Sequence, residues 1–176
     1  MLSPGRRVAF LGLMSAAALI LFVFETAVPR PLPWMKLGLG NAAVLATLLL
    51  FGGGPAAAVG AVKVLVGGLL SGGLAGPASV IGGSAALTSL AAMVGLRRSA
   101  PGLLSPVGLS IAGAVVHQVT QLLVAEIYLS QAGLLRLLPL FLVGGVLSGA
   151  MTGLITYYAV RALARAGYGG GPDPRR

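Results

Sequence analysis

The chain is 176 residues long, 57% hydrophobic and 9% charged, with a mean hydropathy of +0.98, whereas an ordinary soluble domain carries about 25% charged residues. That composition excludes a water-soluble surface and implies a membrane protein built as one compact bundle. The net charge of +9 does not indicate nucleic acid, because the basic residues sit at the ends of apolar runs and are not interleaved with exposed aromatics.

The first apolar run, Val8 to Val28, has 21 residues, which at about 1.5 Å each span roughly 31 Å of bilayer. It is too long for a signal-peptide core, and the Pro29-Arg30-Pro31-Leu32-Pro33 stretch after it is a poor cleavage context, so the run reads as a retained helix. The three prolines force an extended connection, with Trp34 and Lys36 as an interface anchor. A second helix is predicted from about Leu37 to Phe51, ended by Gly52-Gly53-Gly54-Pro55, and a third from about Ala56 to Leu70 or Leu74. The fourth covers about Ala78 to Leu96 and stops at Arg97-Arg98. The fifth covers about Pro106 to Leu129, and the sixth about Leu134 to Ala164. This gives an all-α, six-helix transmembrane domain over residues 1–166, with residues 167–176 as a disordered cytoplasmic tail.

Charge orients the bundle. With both termini cytoplasmic, eight arginines lie inside (Arg6, Arg7, Arg97, Arg98, Arg161, Arg165, Arg175 and Arg176), against Arg30, Lys36 and Arg136 outside. The positive-inside rule favours that arrangement, a multi-pass protein of the bacterial cytoplasmic membrane.

A few polar groups interrupt the apolar runs: Glu25, Asn41, Lys63, His117, Gln118, Gln121 and Glu126. Such groups are costly in hydrocarbon and tend to face a cavity, a partner or a substrate. On helix five, Ser110, His117, Gln121 and Tyr128 are spaced by seven, four and seven residues, which places them on one stripe, thinned by Gly113 and Ala114. Each group also has a plainer reading. His117 can tie two helices together, Lys63 can snorkel to the interface, and Asn41 can cap a turn. Glu25 and Glu126 lie near the interface and read as structural or solvated, with Glu126 projecting away from the stripe. The repeat Gly145, Gly149, Gly153 on helix six, and Gly12 with Ala16 on helix one, mark faces where another backbone can approach, in this chain or in a partner.

Enzyme signatures are largely missing. Three acidic residues, one of them in the tail, and no cysteine leave no aspartate pair to hold magnesium on a diphosphate and no thiolate chemistry. A lone histidine makes neither a metal site nor a triad, and there is no Walker A sequence. The chain is therefore expected to be no enzyme, with no metal and no cofactor.

Lys36-Leu37-Gly38-Leu39-Gly40-Asn41, Lys63 within Val62-Lys63-Val64-Leu65, the Gly72-Gly73-Leu74 and Pro77 turn, and Ser110 to Gln118 with Gln121 together resemble the bacterial Gx transporter family, also labelled heptaprenyl diphosphate synthase component I. The resemblance covers roughly residues 25–125. That family usually has arginine where Lys63 stands and asparagine where Gln118 stands, so a planar bidentate contact is replaced by a single ammonium. The resemblance implies a six-helix fold similar to the substrate-binding (S) components of energy-coupling factor vitamin transporters. It also implies a binding role, with ATP supplied by separate subunits. The alternative is a non-catalytic membrane partner of prenyl-diphosphate and menaquinone synthesis, or of flavin and quinone electron transfer. The expected substrate-binding residues are Lys36, Asn41, Lys63, Ser110, His117, Gln118 and Gln121, with Gly12 and Ala16 toward a coupling subunit. The expected partners are membrane lipid, a small-molecule ligand, and either a coupling subunit with ATPases or a soluble prenyl synthase; nucleic acid is not among them.

Overall fold

The computed structural model describes residues 3–27, 38–70, 72–74 and 76–168. The helices are α1 (Pro4–Ala27), α2 (Leu39–Phe51), α3 (Gly53–Leu70), α4 (Pro77–Ser99), α5 (Pro106–Tyr128) and α6 (Leu138–Arg165), and a 3-10 turn (Leu134–Leu137) leads into α6. No strand occurs among the described residues. Pro77, Pro106 and Pro139 each occupy the first turn of their helix, where the missing N–H costs nothing. Ser105 caps α5 by accepting from Gly108 N at 3.1 Å.

Two boundaries differ from those the sequence predicts. The Gly52-Gly53-Gly54-Pro55 stretch is not a linker: α3 already begins at Gly53, Pro55 sits in its first turn, and the whole break between α2 and α3 is Gly52 at φ 90°. Proline is tolerated there because a helix's first N–H groups have no intrahelical partner. At the other end of the chain, Gly167 and Tyr168 do not begin a tail but close α6. Tyr168 N donates to Leu163 O (2.9 Å) and Gly167 N to Ala164 O (3.1 Å), with Gly167 at φ 82°, the left-handed glycine closure common at helix ends. Residues 169–176 lie outside the described residues.

α2 stands at the centre. No residue of it is exposed, and it packs on α1, α3 and α6, which is why its sequence is apolar on every side. Its 13 residues make only about 20 Å, whereas the other five helices are long and apolar enough to cross a membrane. Large apolar side chains face outward around the bundle, among them Leu13, Ile20, Leu65, Leu87, Ile127 and Leu147. A surface of that kind is stable only against lipid, so this is a multi-pass helical membrane protein.

The helices alternate in direction. Phe10 near the start of α1 lies 4.8 Å from the ring of Phe51 and 5.1 Å from that of Tyr168, so the start of α1 and the ends of α2 and α6 meet at one end of the bundle. That end carries Arg6, Arg7, Arg97, Arg98, Arg161 and Arg165. It is also the tightly packed end, where Phe10, Met14, Leu45, Leu48, Val59 and Met93 belong to one apolar cluster. Arg97 of α4 ties the two halves of the chain together there, donating from both terminal nitrogens to Leu48 O and Leu49 O at the end of α2. Thr156 of α6 adds a second tie by donating to Ala42 O on α2 at 3.3 Å.

The glycine repeat on α6 serves contact within the chain. A Cβ at Gly149 would lie 2.9 Å from Ile111 Cα, and one at Gly153 would lie 2.6 Å from Val107 Cα, so the α5 and α6 backbones touch. By contrast, Gly12 and Ala16 lie on an exposed strip of α1, and a Cβ at Gly12 would meet nothing within 4 Å.

Candidate functional site

Toward the end opposite the arginines, the packed core gives way to a cavity of about 220 Å³. Its walls come from the end of α1, the start of α2, the second half of α3, the first two-thirds of α4, and the middle of α5 and α6. Asn41, Lys63, Ser110, His117, Gln118 and Gln121 all line it. Six polar groups spread over 80 residues of sequence thus meet in one space.

Lys63 is 7% exposed, and its ammonium Nζ donates to Asn41 Oδ1 across the α2–α3 hairpin. It does not snorkel to the interface. The stem passes Gly40, where a Cβ would come within 3.2 Å of Lys63 Cδ and 2.8 Å of Ala18 O, so only glycine lets α1, α2 and the lysine share that level. Asn41 accordingly uses its side chain as an acceptor in the cavity wall; it makes no capping bond for α2.

Gln118 is buried, and its Oε1 accepts no hydrogen bond among the described residues. Leaving such an acceptor unmet costs about 1–3 kcal/mol. The side chain is pressed toward the cavity by α6, since Gly145 approaches so closely that a Cβ there would lie 2.9 Å from Gln118 Cγ. His117 is half-buried and borders the same space. Ser110 and Gln121 are buried one to two turns to either side. Tyr128, at the end of the same sequence stripe, is 47% exposed and outside the cavity.

The two helical acids play separate parts. Glu25 is buried at the end of α1 and lines the cavity, accepting from Gly38 N at 2.5 Å. This sets a carboxylate at the N-terminus of α2, where the helix dipole favours it. Glu126 accepts from Leu135 N at 2.9 Å and holds the 3-10 turn before α6, away from the cavity. Lys36 and Trp34 lie outside the described residues. Among the described residues no three His, Asp or Glu side chains converge, and the cavity lining offers one cation, two carboxamides beside an asparagine, an imidazole, hydroxyls and, at the end of α1, the carboxyl of Glu25.

Ser79, Ser89, Ser148 and Thr152 also line the cavity, and none was singled out from the sequence. Ser89 donates to Gly113 O at 2.7 Å, joining α4 to α5, and Ser79 donates to Gly73 O at 2.5 Å, holding the α3–α4 turn against the cavity. A signal existed for them. Ser79, Gly82, Ala86, Ser89 and Met93 follow one another at three- and four-residue steps, as do Ser148 and Thr152, a small and polar stripe within apolar helices.

Residues 14–159 match the family described as heptaprenyl diphosphate synthase component I, and the chain belongs to that family. No curated protein and no solved structure matches it.

Proposed function

We propose that this chain is a membrane substrate-binding subunit that receives a small molecule with an anionic group for Lys63 and a hydrogen-bond donor for Gln118, and is energised by separate coupling and ATPase subunits. The ligand class is vitamin-, flavin- or quinone-precursor-like. The observation that carries this reading is the polar cavity in which Lys63, Asn41 and His117 meet the unsatisfied Oε1 of Gln118. A bare acceptor held in an apolar bundle is expensive unless a donor satisfies it, and the buried ammonium beside it favours an anionic group on the same ligand. With the arginine-rich end in the cytoplasm, the cavity lies in the outer half of the membrane, where a binding subunit meets its ligand. Six helices with such a site are similar in plan to the S components of energy-coupling factor transporters. The exposed Gly12 and Ala16 strip on α1 then serves as the face for a coupling subunit.

The family's name favours a second reading, a non-catalytic partner in heptaprenyl diphosphate synthesis, and on either reading this chain binds without performing prenyl transfer. Native mass spectrometry of the protein purified from its host in mild detergent tests both. A co-purifying small molecule whose occupancy drops at least about tenfold in Lys63→Met, with melting temperature nearly unchanged, supports the binding subunit. Parent-like binding in both Lys63→Met and His117→Ala refutes the site. A soluble prenyl synthase copurifying with no ligand bound favours the second reading.

A further inference from the structure

Glycines do two different jobs in this bundle. On α6 they bring backbones into contact, whereas Gly60 in the middle of α3 and Gly82 and Gly83 in α4 do not. A Cβ at Gly60 would meet only Val44 Cγ1 at 3.8 Å, one at Gly83 only Val64 Cγ1 at 3.7 Å, and one at Gly82 nothing within 4 Å. Of the helix pairs consecutive in sequence described in full, α3 and α4 touch least. The small residues there keep a gap open.

That gap is a second cavity of about 250 Å³, walled by Ala57, Gly60 and Ala61 of α3 and by Gly83, Ala86 and Leu90 of α4. It adjoins the polar cavity, because Asn41, Lys63 and His117 border both. Its outer lips are Leu65 and Leu87, 55% and 72% exposed, which face lipid in a membrane. The space therefore runs from the ammonium of Lys63 to the bilayer through walls that are almost wholly hydrocarbon. A polar solute would leave that passage unfilled, and water gains too few partners there to occupy it.

We propose that the ligand is a single-chain amphiphile whose anionic head also carries a hydroxyl, as a singly protonated phosphate monoester does. It is held head-first with its anionic oxygens accepting from Lys63 beside Asn41 and its hydroxyl donating to Gln118 Oε1, and with its apolar chain passing between α3 and α4 into the lipid. This rests on reading the polar cavity as a ligand site. The chain exchanges one apolar surrounding for another, so affinity resides in the head, while the gap selects for a tail and provides the route of entry from the membrane.

The test uses the full-length protein in lipid nanodiscs with two probes: dodecyl phosphate carrying a diazirine in its chain, and butyl phosphate. Photolabelling should concentrate on residues 57–65 and 83–90, be displaced by excess butyl phosphate, and decrease at least tenfold in Gly60→Leu. Butyl phosphate binding, followed by phosphorus NMR, should stay within twofold of the parent in that variant. Labelling equally heavy on the outer faces of α1 and α6 refutes the passage without needing any variant. Labelling between α3 and α4 that butyl phosphate does not displace shows an unconnected lipid groove and also refutes it. If butyl phosphate does not bind the parent at all, the anion-binding reading of the polar cavity fails. If it binds and dodecyl phosphate labels nothing in the gap, only the passage fails.

Discussion

Gln118 stores a defect on purpose. Its buried Oε1 lacks a donor among the described residues, and an unmet acceptor costs about 1–3 kcal/mol. Gln118→Leu removes that penalty, so the variant should melt at the parent's temperature or above while its ligand affinity declines at least about tenfold. Differential scanning calorimetry beside a ligand titration decides this, and a variant that loses stability and keeps affinity would make Gln118 a helix tie. Six polar residues of the cavity lining were legible in the sequence because each is costly in hydrocarbon and so conspicuous. Asn41, Lys63, Ser110, His117, Gln118 and Gln121 accordingly all reach one cavity. Ser79, Ser89, Ser148 and Thr152 escaped notice because a hydroxyl hides easily, bonding to a helix carbonyl as Ser148 does to Gly145 O at 3.2 Å. Glu25 reads from the sequence as an interface group, and its place in the cavity lining was not legible because its partner, Gly38 N, lies 13 residues away on another helix's start.

The helices themselves were largely readable, since proline and glycine mark their starts and long apolar runs their bodies. What periodicity could not separate was glycine that permits contact from glycine that preserves space. The sequence shows the same small residues in both places, and only the neighbouring backbone tells them apart. Gly149→Ala sets a methyl 2.9 Å from Ile111 Cα, whereas Gly82→Ala points into open room. The first should therefore destabilise the bundle by about 1–3 kcal/mol, the usual cost of overpacking. The second should be neutral or slightly stabilising, since alanine is the better helix former. Thermal unfolding of the two variants in one detergent compares them directly, and equal shifts would show that the α5–α6 contact is looser than drawn.

Across the whole molecule, packing is divided lengthwise, with a packed arginine-rich end and a hollow opposite end. The positive-inside rule favours a cytoplasmic arginine-rich end, and on that orientation cysteines introduced at Ser3 and Gly170 should resist an impermeant thiol reagent in intact cells while one at Ser130 reacts. Labelling of either terminus from outside would invert the bundle and put the cavity in the cytoplasmic half. The division into ends could not be read from single helices, because it arises where the α1–α3 group meets the α4–α6 group, and those meet mainly through α2, Arg97 and Thr156. The shortness of α2 bears on how the protein is made. About 20 Å of helix cannot cross a 30 Å hydrocarbon layer alone, and Gly52 is the only residue between α2 and α3. The two must therefore leave the ribosome's exit machinery and enter the bilayer as one hairpin. Lys63 would be a heavy burden on α3 inserted singly, but within that hairpin Asn41 is already opposite it, so the cation crosses into the membrane with its first partner attached, before α4, α5 or α6 has joined it there.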